Sequence, residues 1–268
     1  MNDFSSAAAR AGNDLARWYG RKFSSVSAEE KGVGSNTARC VNIILMKHDY
    51  EIIDVCHTVE DGMITYKGLP VPVITDHLTR DASKQFYADG TEFQIGKIEM
   101  VANTGTYLDS PFHRYPDGTD LAALDLYSLA NLDGLVVRQV DSPVRGISLD
   151  AIDGLDLNGK AVLFHTGWDR RWRTEAYSDG NHPFLTADAA EYLAQSGAAL
   201  VGIDSYNIDN TKDGNRPAHS ILLRQEIPIV EHLCGLGELP DEGFKFFAVP
   251  VKVKGMGTFP FGRSVLFF

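Results

Sequence analysis

The residues best suited to chemistry lie between Asn103 and His113, in the order Asn-Thr-Gly-Thr-Tyr-Leu-Asp-Ser-Pro-Phe-His. A β-rich run precedes them, so the stretch is predicted to leave the end of a strand. With a period of two, Asn103, Gly105, Tyr107 and Asp109 then share one face. Pro111 ends the strand, and the turn it starts can return His113 toward the same pocket. A carboxylate and an imidazole delivered in this way suit a divalent metal or general acid–base work. Alone, the signal is weak, because Asp-Ser-Pro is a common turn and a single His is more often a hydrogen-bonded surface residue.

Other candidates are scattered. His57 follows Cys56, but neighbours on a strand face opposite ways, so the pair is no nucleophile–base couple. His57 either lines a pocket or orients a loop. Trp168, Trp172 and Tyr177 stand among Arg170, Arg171 and Arg173. Trp168 could wall in a planar substrate with cation–π help, or the segment could pack on a neighbouring subunit. Asp204 could support a site from behind or form a turn. Asp209, Asn210, Asp213 and Gly214 lack the spacing and closing Glu of a calcium loop and read as a surface turn.

These residues need a scaffold of short strands. Predicted runs are Glu51 to Val55, Val71 to Thr75, Phe93 to Ala102, Leu135 to Val140, Ala161 to His165, Ala199 to Ile203, Ile227 to Val230 and Phe244 to Lys254, where Val and Lys alternate at the end. A helix is expected over Thr186 to Ser196, with Thr186 as N-cap and Gly197 as stop, and a shorter one over Ala218 to Arg224. Strands interleaved with few helices indicate a mixed α/β domain. The apolar end, Val265 to Phe268, is expected to pack on the body or on another subunit. Residues 1–45, rich in Ser, Gly and charge after a possible helix at Asp14 to Phe23, read as an N-terminal extension. Residues 46–268 read as the domain.

The 268 residues carry 25 Lys+Arg against 36 Asp+Glu, a formal charge of −11. Phosphate backbones demand a basic footprint, so nucleic acid is excluded as a partner. No stretch approaches the roughly 20 apolar residues of a membrane span. Cys40, Cys56 and Cys234 have neither paired nor CxxC spacing. With no export signal apparent, a cytoplasmic protein acting on a small molecule is expected.

The Asn103–His113 stretch resembles the His-x-Gly-Thr-His-x-Asp-x-Pro-x-His motif of the cyclase family that includes kynurenine formamidase and isatin hydrolase. Gly105, Thr106, Asp109, Pro111 and His113 are in register, whereas Asn103 and Tyr107 replace the two leading histidines. Further segments match in family order: Asp54-Val-Cys-His57, Leu163-Phe-His165-Thr-Gly-Trp168, Gly202-Ile-Asp204-Ser205, and His219-Ser-Ile-Leu-Leu followed by Ile229-Val-Glu231-His-Leu. The resemblance implies a swivelling β/β/α fold and a homodimer or higher homo-oligomer. It also implies a metal-dependent hydrolase of the arylformamidase kind. Asn is a poor ligand for zinc or manganese, and Tyr must first lose a proton. The ligands implied are therefore Asp109, His113, His219 and Glu231, holding zinc or manganese. The expected reaction is hydrolysis of a C–N or C–O bond in a small cyclic or aryl-linked amide, lactam or ester, with metal-activated water and His113 moving protons. His57, Asn103 and Trp168 would line the substrate pocket.

Two alternatives stay open. In a metal-independent hydrolase or lyase, Asp109 orients His113 as general base and Tyr107 donates to the oxyanion. In the other, the chain binds a small molecule without turning it over.

Overall fold

The computed structural model describes residues 51–262 and, for the backbone, 265–267. The expected extension, residues 1–45, lies outside the described residues. Thirteen strands are present among the described residues. Nine form one mixed sheet in the order β1 (Glu51–Ile53), β13 (Val265–Phe267), β11 (Phe244–Phe246), β5 (Leu132–Arg138), β7 (Lys160–His165), β9 (Leu200–Ile203), β10 (Ile229–Glu231), β4 (Tyr107–Asp109) and β12 (Thr258–Pro260). The central four, β5, β7, β9 and β10, are parallel, and the flanking pairs are antiparallel. Strands β2 (Val73–Leu78) and β3 (Ile95–Glu99) make a separate hairpin, and β6 (Gly146–Ile147) pairs with β8 (Phe184–Leu185).

The central strands are apolar along their length, as parallel strands covered on both faces must be. Alternate residues enter two cores. Leu135, Val137, Val162, Phe164, Val201, Ile203 and Ile229 face one, with helices α2 (Ala187–Gln195) and α3 (Pro217–Arg224). Leu132, Val136, Ala161, Leu163, Leu200 and Val230 face the other. At Gly134 a Cβ would overlap the Phe244 ring, so glycine lets β5 and the second core close up. The short helix α1 (Arg80–Ser83) belongs to the connection between β2 and β3.

Most predicted elements are present with shifted ends. The helix after Thr186 starts and stops where expected, Thr186 being extended and Gly197 left-handed at φ +75. Two expectations fail. The strand expected over Phe93 to Ala102 does not feed the chemical motif: β3 ends at Glu99 and pairs with β2. Gly105 then takes φ +68, breaking the alternation, so Tyr107 and Asp109 alone share the predicted face. The alternation at Val251 to Lys254 is not a strand either. Pro250, which lacks an N–H, precedes it, and Val251 is 59% exposed. The backbone of Val265–Phe267 is inserted between β1 and β11.

Candidate active site

Strand register brings the site together. In an antiparallel pair, opposed residues share a face. Tyr107 lies opposite Glu231 on β10, and Asp109 lies opposite Thr258 on β12. Leu108, between them, points into the second core. Next, Ser110 leads into a tight turn over Pro111–His113, which carries His113 back to Thr258. Helix α3 supplies His219 from above. Its Ala218 and Leu222 face the core, and the adjacent His219 turns toward the sheet edge. The crevice thus lies at the carboxyl ends of β9 and β10, where sheets of this kind place ligands.

Asp109, Glu231 and Asp209 are all at most 1% exposed. Three buried carboxylates need positive charge or donors. Asp209 accepts from Ala218 N at 2.7 Å, His219 N at 3.1 Å and His219 Nδ1 at 2.6 Å. Burial works against its charge, but the His219 contact outweighs this and holds the carboxyl below its ordinary value. The His219 ring therefore turns Nε2 into the crevice, 3.6 Å from Asp109 Oδ2 and 3.7 Å from Glu231 Oε1. Burial opposes a charge on His219, yet Asp109 and Asp209 push its pKa up to about 10.

Asp109 Oδ1 accepts the Thr258 hydroxyl, while Oδ2 is buried with no hydrogen-bond partner. The Thr258 proton being committed there, His113 Nδ1–H donates to Thr258 Oγ1 at 2.8 Å. Both imidazoles thereby turn Nε2 into the crevice, and a cation there would take the place of the Nε2 proton of His219. Donor atoms of Asp109, His113 and His219 all lie within 4.8 Å of one another. An orphaned buried carboxylate oxygen beside two oriented imidazoles fits a divalent cation.

Glu231 is held differently. Its Oε2 accepts from Tyr107 at 2.6 Å, Asn207 Nδ2 at 3.2 Å and Tyr66 at 3.3 Å, and Oε1 accepts Ile208 N at 2.7 Å. Burial foremost raises its pKa. Burial, then Glu231, raises the pKa of Tyr66 and Tyr107 far above the ordinary phenol, so both stay protonated donors. These groups wall a cavity of about 290 Å³, to which Asn103, Leu69, Arg114 and Arg216 also contribute.

His57 and Trp168 are not among the cavity walls. His57 stacks on Trp172, ring centroids 3.9 Å apart at 4°, and burial pushes its pKa down to about 4. Trp168 packs with Tyr177 and Tyr206 and donates Nε1–H to the Tyr177 carbonyl at 3.0 Å. Asp204 ties down the Thr166–Gly167 corner through three hydrogen bonds, and burial pushes its pKa up to about 7. Asp209 is no surface turn. Sequence reasoning missed it, along with Tyr66, Asn207 and Thr258. Only the partnership with His219, ten positions further along the chain, marks Asp209 out.

A mixed α/β sheet with a cluster of carboxylates and imidazoles that could hold a cation at its carboxyl edge defines the class. The chain belongs to the family described as putative cyclase, whose model matches residues 53–210. Kynurenine formamidase of Erythrobacter litoralis is 29% identical over 169 residues, covering 62% of this chain and 73% of the relative. Isatin hydrolase A of Labrenzia aggregata, solved with benzyl benzoate, shares the fold at TM-score 0.69 and 18% identity, covering 81% of this chain and 94% of that one. A structure described as a predicted metal-dependent hydrolase from Bacillus stearothermophilus gives TM-score 0.61 and 27% identity, covering 82% and 98%. The expected family and its mixed fold are thus both found.

Proposed function

We propose that the protein is a metal-dependent hydrolase that cleaves a C–N or C–O bond in a small cyclic or aryl-linked amide, lactam or ester. The observation that carries this reading is the unpartnered, buried Asp109 Oδ2 facing His219 Nε2. Asp109, His113 and His219 would hold zinc or manganese, with Glu231 Oε1 as a fourth donor beside His219. An ion held there would supply Lewis acidity toward water and a substrate carbonyl. Asp209 fixes the His219 tautomer, and Thr258 spans Asp109 and His113. His113, the most exposed of the four, could exchange protons with solvent only with its Nε2 left off the ion, Asp109, His219 and Glu231 then being the remaining ligands. Tyr107 spends its proton on Glu231, so we assign it to positioning. Asn103 takes part as a cavity wall. Support also comes from the names of the relatives, kynurenine formamidase and isatin hydrolase.

The test is a panel of formyl-anilines, isatin-like lactams and lactones, assayed with metal analysis before and after chelation. Turnover that disappears on chelation, returns with zinc or manganese and is lost in Asp109→Asn is expected. Full turnover after exhaustive metal removal would overturn the proposal.

The same reading includes a cytoplasmic homo-oligomer. Hairpin residues Val73, Ile74, Ile95 and Ile98 are 42–49% exposed, and a lone two-stranded hairpin is marginal in water. A second copy of the chain packed over the hairpin would bury them. Sedimentation is expected to show a dimer or larger species that Ile74→Asp dissociates; a wild-type monomer at micromolar concentration sinks this part. Among the described residues no helix is long and apolar enough to cross a membrane.

A further inference from the structure

We propose that the cavity is built for a substrate bearing an anionic group, a carboxylate, seated on Arg216 with Arg114 at the rim. The inference rests on the hydrolase reading, which makes this cavity the reaction site. Of the nine described arginines, three form an ion pair with a carboxylate. Arg138 pairs with Asp241, Arg173 with Glu60 and Arg224 with Asp117. Arg114 and Arg216, the two arginines lining the cavity, form no ion pair among the described residues.

Their protein contacts are neutral. Arg216 donates to Asn207 Oδ1 at 3.0 Å, and Arg114 Nε donates to Ser220 Oγ at 3.3 Å. The orientation of Asn207 is not free. Its Nδ2 donates to Glu231 Oε2 and to the Tyr66 hydroxyl, both at 3.2 Å, so its oxygen must face Arg216. The guanidinium is therefore registered to the wall that carries Glu231 and Tyr66, with most of its donors uncommitted. Guanidinium stays charged throughout the physiological range and matches a carboxylate bidentately. The backbone of Arg216 is left-handed, φ 50 and ψ 61, immediately before Pro217. Of the six described non-glycine residues with positive φ, Arg216 is the one that lines the cavity, where such strain is compatible with a functional role. The apolar Leu69 on the same cavity leaves room for a ring or chain between the anion and the reacting carbonyl.

Benzoate and benzamide, alike in shape, separate the charge from the ring. Calorimetric titration of the purified full-length protein is expected to show benzoate bound about 10- to 100-fold more tightly at low salt, the range of a charge-assisted hydrogen bond. Arg216→Gln should remove the preference. Arg216→Asn should do the same while tolerating the left-handed backbone, which keeps the test open if the first variant folds poorly. Equal affinities in the wild type, or a benzoate affinity unchanged in both variants, would overturn the proposal and leave Arg216 as charge balance for the buried carboxylates. Kinetics on formyl-anilines with and without a ring carboxylate separate the two readings. Turnover of both at equal kcat/KM sinks the anion site alone; no turnover of either, with Arg216-dependent benzoate binding, sinks hydrolysis alone.

Discussion

Asp209→Asn is the sharpest probe of how the site is held. Asp209 is fully buried and accepts three hydrogen bonds, from Ala218 N, His219 N and His219 Nδ1. Asparagine has one acceptor oxygen and an NH2 group of nearly the same shape. Placed with the NH2 toward Ala218, it sets donor against donor at the first turn of α3 and reduces the His219 contact to a neutral one. Placed the other way, it makes Nδ1 an acceptor, moves the ring proton to Nε2 and removes the lone pair from the crevice. Either arrangement loses a charged hydrogen bond and part of a helix cap, about 2–3 kcal/mol. For a domain of this size that is a fall of roughly 4–12 °C in Tm. Weakening the carboxylate behind a ligating histidine lowers metal affinity by about 10- to 100-fold. Zinc and manganese affinities would be measured by competition with a chromogenic chelator, and Tm by calorimetry. Affinity within two-fold of wild type, with Tm within about 2 °C, would refute the claim that Asp209 sets the His219 tautomer.

Three further outcomes are expected. Tyr107→Phe removes one donor from buried Glu231 and should cost about 1.5–3 kcal/mol in urea unfolding; unchanged stability with kcat down about 100-fold or more would restore Tyr107 as an oxyanion donor. Gly257→Ala would place a Cβ on the backbone of His113, so a loss of about 1–3 kcal/mol together with weakened metal binding is expected, and wild-type values for both would contradict the packing. His57 has its folded pKa lowered from 6.5 to about 4, so its contribution is present above pH 6.5 and is lost as pH falls through about 4. The stability advantage of wild type over His57→Asn should therefore shrink by about 2 kcal/mol between pH 7 and 4.5, and a constant difference would show that His57 is not held neutral.

Local pattern and composition determined a good deal of this protein. The acidic balance, the strand-rich mixed α/β plan, the Thr186-to-Gly197 helix and the turn at Pro111 follow from period, propensity and proline chemistry, which act over a few residues. The type and order of Asp109, His113, His219 and Glu231 were also legible, through resemblance to ordered family segments. Tertiary structure alone decided what those residues do to one another. The pairing of β4 with β10 and β12 sets Tyr107 against Glu231 and Asp109 against Thr258. A buried loop turns Asp209 from an apparent surface turn into the partner of His219. Packing removes Trp168 and His57 from the cavity and leaves Arg216 on it. Hydrogen-bond geometry and burial between residues far apart in the chain set charge and tautomer, and no short sequence window contains either.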